Sequence, residues 1–168
     1  MQLKEIDKNR YRKHYRIVFA GIAFVLLVIA PAASALFINL FSNPEGSYFV
    51  HNLAGVLTGV AIITFALNKF RKHPFMYEVM YIWDLKQQLN KIHRKQRKIE
   101  AAIENNDKDA MIIMNFMLHG SKQLYELDDN TITMEDLLIK IQVHDERMEA
   151  AGLSSSTDSY NPTMLERF

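Results

Sequence analysis

Residues 17–41, IVFAGIAFVLLVIAPAASALFINLF, contain no charged side chain. A helix crossing a hydrocarbon core needs about 20 mostly apolar residues, so this run predicts a membrane span. A second uncharged run, SYFVHNLAGVLTGVAIITFALN, covers 47–68 and also has the length. His51 and Asn52 dilute it near one end. The connection SNPEG at 42–46 holds Pro44 and Gly46; this is turn chemistry, too short for anything but a hairpin. The spans are expected over about 17–41 and 48–70, with a kink near Pro31, where proline removes a helix hydrogen bond.

Working outward, residues 1–16, MQLKEIDKNRYRKHYR, hold six Lys and Arg, and the segment after the second span holds three at Lys69, Arg71 and Lys72. The loop between the spans has none. Basic flanks stay cytoplasmic, which predicts both termini in the cytoplasm and Glu45 on the far side. ASA at 33–35 resembles a signal-peptide cleavage site, but Glu5 and Asp7 in a long leader and the uncharged run continuing to Phe41 favour an intact span. The net charge of +1 hides an asymmetry. Residues 1–98 carry 15 basic and 5 acidic side chains, whereas 99–168 carry 5 and 14. No cysteine is present, so no disulfide framework or thiol chemistry is expected.

LNKFRKHPFMYEVMYIWDLK at 67–86 reads as a membrane exit. Lys69, Arg71 and Lys72 suit headgroup depth, where long basic side chains snorkel. Tyr77, Tyr81 and Trp83 suit an interface. From Pro74 the pattern is helical. Phe75, Val79, Ile82, Leu89, Ile92, Ile99 and Ile103 form one apolar seam to about Glu104. ENND at 104–107 breaks it, with Asp107 as N-cap of a second helix carrying Ala110, Met114, Met117, Leu118 and Leu124 on one side. LDDNT at 127–131 is a turn, and TMED at 133–136 opens a third helix through about Ala151. GLSSSTDS at 152–159 is a polar linker.

In the second span Gly55 and Gly59 make a GxxxG step, expected to pack against Ala32, Ala33 and Ser34 of the first span or against a second copy. In the ending YNPTMLERF, Asn161 can cap and Pro162 can open a helical turn over 162–167. Tyr160, Met164, Leu165 and Phe168 then form a docking tail, since burying each stabilises by about 1.5–3 kcal/mol.

Chemistry-bearing constellations are missing from the pattern. The six histidines stand at 14, 51, 73, 93, 119 and 144, none three or four residues from another as a helical metal site needs. DDNTITMEDLLI at 128–139 departs from a calcium loop at Ile132, Thr133 and Ile139. HGS at 119–121 lacks the strained elbow and orienting acid of a hydrolase, and Gly120 is expected at a close helix contact. No Gly-rich phosphate loop occurs. The basic face of 91–98, Lys91, Arg94, Lys95, Arg97 and Lys98, reads as a solvated helix face. Anionic lipid is a rival reading, and nucleic acid is disfavoured by the charge asymmetry.

HPFMYEVMYIWDLKQQLN at 73–90, GSKQLYELDDNTITMEDL at 120–137, the leader IDKNRYRKH and the ending YNPTMLERF together resemble a bacterial membrane family grouped as domain of unknown function 3087. The resemblance implies a small inner-membrane protein of Gram-negative bacteria with no assigned activity, and no functional residues to transfer. The expectation is therefore an all-α membrane protein with a basic leader over 1–16, a transmembrane hairpin over 17–70, a cytoplasmic three-helix domain over 74–151, and a linker and docking segment over 152–168. The expected role is non-enzymatic, without a cofactor. The partners are the lipid bilayer and either another protein or a second copy. The alternative is a membrane-tethered binder of nucleic acid or anionic lipid through 91–98.

Overall fold

The structure, a computed structural model, describes residues 1–41 and 47–168; the expected turn at 42–46, with Glu45, lies outside the described residues. Among the described residues there are seven α-helices, one π-helical turn, short 3-10 turns and no strand. The chain divides into two compact units, residues 9–80 and residues 1–8 with 81–168.

In the first unit a single helix of 34 residues runs over Lys8–Phe41. It comprises α1 (Lys8–Phe24), a π-helical turn (Val25–Ile29) and α2 (Ala30–Phe41). At 1.5 Å per residue it is about 50 Å long, against about 30 Å of hydrocarbon, so the basic leader from Lys8 is part of the same helix. Just before Pro31, where the sequence predicts a kink, the helix carries a π-helical turn. Ala30 N–H donates to the Val25 carbonyl, five residues back, next to the position where proline lacks an N–H.

Helix α3 (Phe49–Phe70) runs antiparallel to α2. Their backbones touch at Gly55 and Gly59. A Cβ on Gly55 would lie 2.6 Å from the Ser34 Cβ and 2.7 Å from the Ala30 carbonyl oxygen, and one on Gly59 would lie 3.0 Å from the Ala30 Cβ. The Ser34 hydroxyl also bonds the Asn52 side-chain oxygen. Of the expected trio, Ser34 is at the crossing, Ala33 is half-buried and Ala32 is exposed. Ala30 supplies the other contact, because a step of four keeps two residues on one helix face. The two helices, with mean hydropathy 2.5 and 1.8 over their most apolar windows, are long and apolar enough to cross a membrane. After α3, His73 Nδ1 accepts the Phe75 N–H at 3.2 Å, and Pro74 opens a 3-10 turn leading into α4 (Tyr77–His93).

The second unit takes up α4 from Tyr81 and adds α5 (Gln96–Glu104), α6 (Lys108–Asp128) and α7 (Met134–Ala150). One helix was expected from Pro74 to about Glu104, but the chain breaks at Arg94–Lys95, where Lys95 N–H bonds the Ile92 carbonyl in a tighter turn. No apolar residue between Ile92 and Ile99 pins that stretch to the core. Leu85, Ile92 and Ile99 are fully buried. Helix α6 is the centre of the unit. It buries Met111, Ile113, Met114 and Phe116 almost all round, wider than a one-sided stripe, as a central helix must. Asp107 caps it by accepting the Ala110 N–H at 3.0 Å. Thr133 precedes α7 but makes no capping bond.

Candidate functional site

Helix α7 buries Leu137, Ile141 and Met148 and leaves Leu138, Ile139 and Val143 exposed. Ile132, in the turn before it, is 92% exposed. Ile139 and Val143, a step of four apart, form one wall of a groove of about 600 Å³. The opposite wall is Met114, Met117 and Leu118 of α6. Glu100 and Lys140 sit on its rim, and Arg147 bridges to Glu104 at 2.8 Å. Methionine is unbranched and adaptable, suited to surfaces that repack around a partner. These residues belong to neither helix capable of crossing a membrane.

The same unit already holds a peptide segment, its own C-terminus. Asn115 donates to the Ser155 carbonyl at 2.8 Å. The Tyr160 ring stacks on Phe116 with centroids 4.0 Å apart, and Gln88 bonds its hydroxyl. Burial pushes the Tyr160 phenol pKa up, opposed by the Gln88 bond. Asn161 Oδ1 accepts the Thr163 N–H at 3.1 Å, opening a 3-10 helix over Pro162–Arg167. Leu165 is buried, while Met164 and Phe168 are half-buried. Lys95 Nζ donates to the Leu165 carbonyl at 2.6 Å and Lys98 Nζ to the Phe168 carbonyl at 2.7 Å. Arg167 pairs with Asp107 and Asp109. The basic face is thus divided: Lys95 and Lys98 grip the tail, whereas Lys91, Arg94 and Arg97 are exposed.

Among the interface residues, Lys69, Arg71, Lys72, Tyr77 and Trp83 are exposed. Tyr81 differs. It is buried, donating its hydroxyl to Gln123 at 2.9 Å and accepting the Lys4 N–H at 2.8 Å. The sequence reading missed Glu78, whose buried carboxylate takes Arg10 Nε at 2.9 Å and His14 Nδ1 at 3.2 Å. The His14 ring packs on Phe75 at 4.2 Å. The available signal was a carboxylate standing alone among Phe75, Met76, Tyr77, Val79 and Met80.

The Ser121 hydroxyl donates to the Met117 carbonyl at 2.7 Å within its own helix. Gly120 lies against α4, where an added Cβ would meet Leu89 at 3.1 Å and Leu85 at 3.3 Å. His119 Nε2 faces Asp145 Oδ1 at 3.6 Å, beyond hydrogen-bond length. Among the described residues no group of three or more His, Asp or Glu could hold a metal ion.

Among the described residues the geometry defines a class, an all-helical protein with two helices long and apolar enough to cross a membrane and a second helical unit carrying a groove with Ile, Val and Met walls. Residues 1–165 match the model of the family described as "Protein of unknown function (DUF3087)", and the chain belongs to that family. No curated protein and no solved structure matches it.

Proposed function

We propose that this is a non-enzymatic, multi-pass inner-membrane protein that docks a partner through its cytoplasmic helical unit. The two apolar helices form a transmembrane hairpin that anchors the chain. The basic flanks around 10–16 and 69–72 support a cytoplasmic location for both termini. The observation that carries the docking role is the α6–α7 groove beside exposed Ile139 and Val143. Covering the exposed half of each of those side chains stabilises a complex by about 1 kcal/mol, and an amphipathic helix laid in such a groove is a recurring recognition mode. Its polar rim, with Glu100, Lys140 and Arg147, would set the partner's register. The occupant is another protein or a second copy of this chain.

A photo-crosslinking residue at position 139 or 143, in native membranes, should yield discrete adducts that mass spectrometry identifies, and Val143→Asp should remove them. Adducts no different from those of a crosslinker at exposed Glu126 would refute the docking role. The rival reading, nucleic acid or anionic lipid on Lys91, Arg94 and Arg97, predicts salt-dependent binding of the full-length protein to DNA or to anionic vesicles.

A further inference from the structure

Within the first unit, a second cavity of about 450 Å³ opens between α1 and α3. Val18, Ile22 and Val25 line one side and Ile63, Leu67 and Phe70 the other. The helices touch at Gly55 and Gly59, with a Cβ on Gly59 only 3.8 Å from Val25. Further along, at Gly21, an added Cβ would meet nothing within 4 Å. The gap therefore follows from where the small residues stand, and its volume lies in the usual range for small-molecule sites. His73, Phe75 and Met76 also line it.

Charge at this end is one-sided. The unit's seven Lys and Arg all fall within 10–16 and 69–72, the segments leading into Val18 and out of Leu67. Its carboxylates are Glu45 and Glu78, and Glu78 is buried and paired with Arg10 and His14. Lys13, Arg16, Lys69 and Lys72 are exposed. His73 Nδ1 is occupied by the Phe75 N–H, which leaves Nε2 as the donor on the cavity wall. An uncharged lipid, or an apolar helix without acidic residues, would fill the slot but bring no countercharge to exposed Lys13, Arg16 and Lys72.

We infer that this slot holds an acyl chain of an anionic phospholipid, with the lipid phosphate among Lys13, Arg16, Lys69, Lys72 and His73. The inference rests on the membrane reading proposed above. Detergent-purified full-length protein, titrated with phosphatidylglycerol or phosphatidylcholine and read by native mass spectrometry, should retain one phosphatidylglycerol with at least about tenfold preference. Gly21→Leu, which fills the slot from an open position, should lower that retention about tenfold with helical content unchanged. Should Gly21→Leu lose helical content, Ala66→Leu on the facing wall reads the same space. Arg16→Gln with Lys72→Gln should abolish the preference while leaving some lipid bound. Equal retention of both lipids by the natural chain, or full retention in the slot-filling variant, overturns the inference. Resistance to alkaline carbonate extraction is scored separately: a chain that extracts as soluble refutes the membrane reading, whereas an integral chain without lipid preference refutes the lipid site alone.

Discussion

At His144 the ring is buried against α6, with Nε2 2.9 Å from the Met111 carbonyl, to which it donates. Desolvation by burial lowers its pKa below 6.5; the Met111 bond and Asp145 oppose the shift, and Arg147 and His119 add to it. The unfolded chain therefore takes up the proton first, so stability present above pH 6.5 is lost as pH falls through 6.5 towards the lowered folded value. Between pH 7.5 and 5.5 the melting temperature should drop, and His144→Asn should show a shallower drop, measured by thermal unfolding in detergent. Parallel curves for the two proteins would assign the acid sensitivity elsewhere. Residue-scale partnerships of this kind were not legible in the sequence. His144 and Met111 lie on different helices, as do Glu78 and Arg10, and nothing local pairs them.

Elements were more readable, where local chemistry sets their ends. The Asp107 cap and the Pro162 turn follow from side-chain chemistry within three residues, and both stand where the pattern puts them. The break at Arg94–Lys95 does not, since the hydrophobic period continues through it from Ile92 to Ile99 in register. The contact between α2 and α3 yields a ranked prediction. Gly55→Ala drives its Cβ into backbone and should cost about 1–3 kcal/mol. Gly59→Ala brings its Cβ to 3.0 Å from the Ala30 methyl, with Val25 Cγ1 at an ordinary 3.8 Å, and should cost less. Gly21→Ala meets nothing and should be neutral or stabilising by up to about 1 kcal/mol, since glycine is a poor helix former. Melting temperatures in one detergent should fall in the order Gly21→Ala, Gly59→Ala, Gly55→Ala; the reverse order for the last two would place the close approach elsewhere.

For the whole molecule, the charge pattern predicts orientation. Reporter fusions after residues 74 and 168 should score cytoplasmic, and a fusion after residue 45 should score on the far side. A cytoplasmic score at 45 or an external score at 74 would reverse the reading. The helical class, the two long apolar helices and the amphipathic character of the remainder were determined by the sequence alone. They depend on hydrophobic period and length, which are properties of contiguous residues. Tertiary structure alone decided that Ala30 rather than Ala32 meets the glycines, that Tyr81 is buried, that Lys95 and Lys98 hold the tail, and that α6 and α7 leave a groove between them. Each of these depends on which residues distant in sequence come to share a surface, and helical periodicity fixes the faces of an element without fixing what they meet.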